Sequence, residues 1–115
     1  MRLRRTAATA AATAVSALAL VLTLPASANA ATGYFTYVVD DTPMPLVLID
    51  PPSRECLTLP EVADPEVPPA HSPRNGTDST AVVFTNPDCT GNHFSLRPHT
   101  GHGSERLKVR SVVFS

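Results

Sequence analysis

Cys56 and Cys89, the histidines His93, His99 and His102, and the carboxylates between Asp40 and Glu66 are the residues of this 115-residue chain whose types could do chemistry. The two cysteines lack the short Cys-x-x-Cys spacing of a metal-binding or redox pair, and an even pair in an exported chain reads as one disulfide. Closing so long a loop contributes roughly 3–4 kcal/mol on the chain-entropy model. Three imidazoles could ligate zinc or copper, but Pro98, Gly101 and Gly103 mark their segment as a loose surface loop that does not preorganise ligands. Solvated histidines and no metal are expected there. Asp40-Asp41-Thr42-Pro43 is turn chemistry, which explains its paired carboxylates without a cation. The chain has no Gly-x-Ser-x-Gly elbow, no metalloprotease helix signature and no nucleophile with an evident base. The expectation is a non-enzymatic protein that needs no cofactor.

The oxidising compartment follows from the first thirty residues. Arg2, Arg4 and Arg5 precede an apolar run from Ala7 to Leu24, then Pro25 and the small-x-small triplet Ala28-Asn29-Ala30. That order is the layout of a secretory signal peptide, residues 1–30, with cleavage before Ala31. The run is rich in Ala and Thr and the cleavage triplet follows at once, so a released protein is expected rather than a membrane anchor. The product is read as a single secreted, extracellular domain, residues 31–115, and as a monomer.

Without the leader arginines, six bases face ten acids, a formal balance of −4. The stretch from Asp40 to Glu66 holds seven acids and only Arg54 in opposition, whereas Arg74 to Arg110 holds five bases against Asp78, Asp88 and Glu105. No basic cluster is dense enough to hold a nucleic-acid backbone, so nucleic-acid binding is not expected.

The elements that must position these residues read as short strands. Of the 12 prolines only Pro25 precedes Ala31, and no window keeps a helical period. Tyr34 to Val39, Leu46 to Ile49, Leu57 to Leu59, Ala81 to Phe84, Phe94 to Leu96, and Leu107 onward through Phe114 carry β-branched, aromatic or alternating patterns. Strands this short at this spacing predict an all-β sandwich of two antiparallel sheets. Between the third and fourth runs, residues 60–73 contain five prolines with Glu61, Asp64 and Glu66 among them, and are expected to be an extended surface connection. Its residues Glu61, Val62, Asp64, Glu66 and Val67 are the candidates to meet a partner. Asn75-Gly76-Thr77 reads as a turn rather than as a glycosylation acceptor.

In Phe84-Thr85-Asn86-Pro87-Asp88-Cys89-Thr90-Gly91 an aromatic is followed by six residues and a glycine, and Ser111 follows later in Arg110-Ser111-Val112. On these residues the chain resembles the βγ-crystallin-like Greek-key domains of small secreted actinobacterial proteins, related to the Streptomyces metalloproteinase inhibitor group. The likeness covers about residues 75–114. It implies a small Greek-key sandwich with a second motif at about 81–114, and a degenerate first motif at about 34–59. The fold-motif residues would be Phe84, Gly91 and Ser111, with Gly91 leaving room for an aromatic ring across the hairpin. That family often binds calcium through adjacent Asn or Asp residues shortly before the serine. Here Arg106-Leu107-Lys108-Val109-Arg110 stands in that place, and calcium would be repelled. Two readings of function follow: a secreted non-enzymatic binding or structural module of undefined ligand, or an inhibitor of an extracellular metalloprotease that presents the proline-rich loop. A calcium-binding domain is the least favoured.

Overall fold

The computed structural model describes residues 29–115, so the leader as far as Ala28 lies outside the described residues. Eight strands are present: β1 (Gly33–Val38), β2 (Leu46–Ile49), β3 (Leu57–Thr58), β4 (Ala70–Thr77), β5 (Ala81–Asn86), β6 (Thr90–Leu96), β7 (Lys108–Val109) and β8 (Ser111–Phe114). They form two antiparallel four-stranded sheets, ordered β2-β1-β4-β7 and β3-β8-β5-β6. Each half of the chain thus lends a two-residue strand to the other half's sheet: β3 edges the second sheet and β7 edges the first.

Strand alternation builds the core. On β1, Phe35 and Tyr37 point inward while Tyr34 and Thr36 face out. Ala81 and Val83 on β5 and Val112 and Phe114 on β8 supply the opposing layer. Phe35 and Phe114 meet edge to face with ring centroids 5.3 Å apart, a geometry that aligns ring edge with ring face across the two sheets. The expected disulfide is formed between Cys56 and Cys89, and links the segment before β3 to the β5–β6 turn.

Strand β4 departs from the sequence expectation. The segment from Ala70 to Thr77, divided in the sequence reading between a proline-rich connection and a turn, is the longest strand of the fold. Pro73 is tolerated because the pairing of β1 with β4 shifts register between Thr36 and Val38, where three steps of β4 oppose two of β1. Ser72 takes φ 53° within this bulge. Asn75-Gly76-Thr77 is therefore strand, not turn. A Cβ on Gly76 would stand 2.9 Å from the Tyr34 carbonyl oxygen, so glycine permits the close approach of β1. Asn75 is only 1% exposed. Its amide donates to the carbonyls of Ser79, Leu96 and Arg97 at 2.8, 3.0 and 3.1 Å. Its own oxygen accepts from the Thr77 amide and hydroxyl at 3.1 and 2.7 Å. The side chain ties β4 to the end of β6 and is closed to glycosylation.

The proline-rich segment also folds differently from expectation. Pro60–Val62 is one 3₁₀ turn, and the chain turns again from Asp64 to Val67. Both turns close around Arg110, which is 8% exposed. Its guanidinium donates to the carbonyls of Val62, Asp64, Pro65 and Val67 at 3.0, 3.0, 3.2 and 2.7 Å. Prolines stop the segment from satisfying its carbonyls in regular structure, and the planar fork of one arginine collects them instead. Replacing Arg110 by Met should leave the carbonyls of Val62, Pro65 and Val67 without donors, Asp64 keeping its bond from the Val67 amide, and lower the unfolding free energy by about 3 kcal/mol. Urea denaturation reads the loss, and proteolysis between Pro60 and Pro69 should accelerate. Wild-type stability in that variant would refute the role.

Candidate functional site

The fold-motif residues converge on the β5–β6 turn. Asn86 leads into the 3₁₀ turn Pro87–Cys89, where Asp88 and Cys89 both take left-handed backbone angles, φ 59° and 56°. Ser111, fully buried on β8, donates from Oγ to the Asn86 carbonyl at 2.6 Å and accepts from the Cys89 amide at 2.8 Å. Thr58 on β3 accepts from the Asp88 amide at 3.0 Å. With the disulfide from the segment before β3, ties from β8 and β3 hold this one turn. Gly91 has φ +88°, and a Cβ there would first meet the side chains of Thr85 and Asn86, at 2.6 and 2.8 Å. Phe84 instead lies tilted beside His93, ring centroids 5.9 Å apart and planes at 44°. These residues brace the turn, and of them Cys56 and Thr58 also line one groove and Thr85 another.

The candidate partner loop lies at the surface, with only Val62 of its side chains fully buried. Val62 is completely buried and so closed to a partner, whereas Val67 is half-buried against the core. Glu61 accepts a hydrogen bond from the Tyr37 hydroxyl at 2.8 Å. Asp64 caps the following turn by accepting from the Glu66 amide at 2.9 Å. Glu61, Asp64 and Glu66 remain at the surface, as carboxylates on a fixed turn rather than an extended presented loop.

A polar chain that the sequence reading did not foresee runs through His71. Its Nε2 lies 2.8 Å from Asp40 Oδ1 and its Nδ1 lies 2.9 Å from Ser72 Oγ. The residue types are those of an acyl-transfer triad. Yet neither His71 nor Ser72 lines any of the grooves below. The chain instead ties the β1–β2 turn to β4. His93, on β6, and His99 and His102, in the loop after it, are all exposed, and His99 contributes to a shallow cleft of about 230 Å³ with Tyr34, Thr36 and Arg74.

Two larger grooves lie at the two sides of the sandwich, where the outermost strands of the sheets face one another. One, of about 540 Å³, runs between β2 and β3 and is lined by Val47, Ile49, Pro51, Leu57 and Leu59. The other, of about 440 Å³, runs between β6 and β7 and is lined by Phe94, Leu107, Arg106 and Lys108. Ile49 is 63% exposed and Phe94 50%. Unpaired strand edges with apolar side chains are surfaces along which another chain can pair. The sequence carried one signal for the first groove: Leu46-Val47-Leu48-Ile49 is apolar at every position, so one of its faces had to be covered by something other than the core. Comparison with family models, with curated proteins and with solved structures found no match for the chain.

Tyr37 gives this region a measurable pH signature. Burial first, and the hydrogen bond and negative charge of Glu61 next, push its phenol well above its ordinary value. Below about pH 10 the phenol is neutral in folded and unfolded chains alike. Above that, the unfolded chain loses the proton first, so stability falls with rising pH. Tyr37→Phe should flatten that alkaline decline, measured as urea midpoints between about pH 9 and 11. An equally steep decline in the variant would place the sensitivity elsewhere.

Proposed function

We propose that this chain is a small secreted, non-enzymatic binding or structural module of βγ-crystallin-like Greek-key type. The exchange of β3 and β7 between the two sheets carries the reading. Each sheet takes three strands from one half of the chain and one from the other, the arrangement expected of two interlocked Greek keys. Ser111 bound to the β5–β6 turn supports the second key, and His71 bound to Asp40 braces the first turn in a comparable place. The first motif then extends beyond residue 59 and takes β4 as its last strand.

The function follows from what the polar groups are already doing. Arg110, Asn75, Ser111 and Glu61 are committed to internal hydrogen bonds, and of the exposed large apolar side chains Val47, Ile49 and Phe94 stand on edge strands. Such a molecule acts by contact. Inhibition of a protease through residues 60–73 is the weaker reading, because Val62 is spent on the core and Val67 is half-buried against it. Calcium binding is weaker still, since the cation of Arg110 stands next to Ser111 and already takes four carbonyl oxygens.

Secretion belongs to the same proposal. The disulfide fits an oxidising compartment, and among the described residues no helix is long and apolar enough to cross a membrane. Protein recovered from culture medium should begin at Ala31 by terminal sequencing. The purified, oxidised protein should neither hydrolyse acyl esters nor inhibit a panel of secreted metalloproteases and serine proteases, while itself surviving uncut. Turnover of an ester would overturn the non-enzymatic reading, and stoichiometric inhibition of one protease would move the protein to the inhibitor class.

A further inference from the structure

The loop that follows β6 is fastened rather than loose. The His99 amide donates to the Thr77 carbonyl at 2.8 Å, and the Gly103 amide to the Pro73 carbonyl at 2.9 Å. The Gly101 carbonyl accepts from the Asn75 amide at 2.7 Å, and the buried Asn75 side chain holds the carbonyls of Leu96 and Arg97. Pinned in this way, His99 keeps φ 66°, an angle that is costly for a non-glycine residue and persists where the surroundings impose it. Two clefts meet at this loop and share Thr100 and Gly101 in their linings. The cleft of about 230 Å³ adds Tyr34, Thr36, Arg74 and His99, and the other, of about 330 Å³, adds Ser95, Arg97 and His102. No carboxylate lines either one. Asp78, which follows Thr77, accepts from the Thr32 amide at 2.8 Å. Arg74 and Arg97 are exposed, and neither guanidinium has a hydrogen-bond or ion-pair partner among the described residues.

We infer that this pair of clefts binds an anionic sugar, a hydroxylated ring carrying a carboxylate or phosphate, as a unit of an acidic polysaccharide. The inference rests on the reading of the chain as a binding module and names the class of its ligand. A guanidinium fork with open donors matches the paired oxygens of a carboxylate or phosphate, and Arg74 and Arg97 supply one fork to each cleft. Tyr34 is 60% exposed and lines the same cleft as Arg74, so its aromatic face offers the C–H side of a sugar ring a surface to pack on. Gly76, opposite Tyr34 in register, has no side chain to fill that space. Thr36, Ser95 and Thr100 add hydroxyls suited to those of the ring. The first cleft falls short of the about 300 Å³ at which pockets enclose drug-sized molecules, so a single ring seats there. An acidic peptide would meet no apolar pocket for its other side chains. The domain's excess of acid opposes a denser polyanion such as single-stranded nucleic acid, whose binding grows with the number of phosphates neutralised.

Amide chemical shifts of the isotope-labelled, oxidised protein test this. Trigalacturonate should shift the amides of Tyr34, Thr36 and residues 97–102 selectively, with a dissociation constant of about 0.1–1 mM. Glucose-6-phosphate is titrated in parallel, and whichever sugar binds assigns the charge to carboxylate or phosphate. The methyl ester of trigalacturonate keeps the rings and loses the charge, and should bind at least tenfold more weakly. Arg74→Gln and Arg97→Gln should each weaken binding of the charged sugar to a similar degree. Tyr34→Ala should weaken it several-fold, whereas Arg106→Gln, outside both clefts, should match the wild type. All four side chains are exposed, and the spectrum of each variant checks its fold. Absence of shifts at about 10 mM of both sugars would overturn the proposal. So would equal binding of the methyl ester, wild-type binding in Arg74→Gln and Arg97→Gln, or the same shifts at the same concentration from inorganic phosphate, oligo-aspartate or oligothymidylate. Ester turnover and protease inhibition are read in separate assays, so this ligand can fail while the module reading stands.

Discussion

A buried cation without a carboxylate is the constraint around which this fold is organised. Taking a guanidinium out of water costs several kcal/mol unless its donors are filled, and among the described residues Arg110 has no ion-pair partner. Its charge is met by four backbone carbonyls from a six-residue span, Val62 to Val67. Those carbonyls can converge only if the segment makes two successive turns, which its prolines favour by forbidding a longer helix. Once the turns close, Val62 is driven into the core and Val67 against it, so the polar clasp also delivers apolar burial. The position of Arg110 extends the effect. Its own amide donates to the Phe84 carbonyl at 2.8 Å and its carbonyl accepts from the Leu59 amide at 2.9 Å, so the residue is tied to β5 and to the chain beyond β3. The next residue, Ser111, fastens the β5–β6 turn. Two adjacent residues thus lock both irregular parts of the second sheet.

Fixed polar ties matter because the apolar core is small. Twelve buried hydrophobic residues form it, several of them Ala or Val. A domain of this size buries too little apolar surface to be comfortable on packing alone. The disulfide restricts the unfolded chain, whereas Asn75 and Arg110 act on the folded one by satisfying buried carbonyls. The two kinds of staple are complementary: the first brings distant segments together, and the second determines the conformation they adopt there.

The legibility of the sequence divides along the same line. Strands with regular alternation, such as Tyr34 to Val38 and Ala81 to Phe84, were readable because their side-chain pattern is set by the core they face. The disulfide was readable from cysteine number and the leader-like first thirty residues. Strand β4 was not, because Pro73 and Asn75-Gly76 are ordinarily signals of loops. Here a bulge accommodates the proline, and burial of the Asn75 amide across the two sheets outweighs its turn preference. The turns around Arg110 were hidden for a related reason. Local chemistry predicted extended chain, and the partner that bends it lies more than forty residues away. Of the candidate loop residues, Glu61, Asp64 and Glu66 are at the surface as expected, while the period-free pattern gave no warning that Val62 and Val67 point inward.

What remains outside the scaffold's own needs is informative. Val47 and Ile49 contribute little to the core from the outer face of β2, and Phe94 is only half covered on β6. A small sandwich ordinarily blunts such edges with charge, proline or short strands. This one does so in part: β3 and β7 are two residues long, and Pro45 and Pro51 bracket β2. The brackets limit how far pairing could run along β2, but they leave its central residues open. An edge kept open but short and apolar at its centre suits a reversible contact better than either a closed barrel or an aggregation-prone sheet.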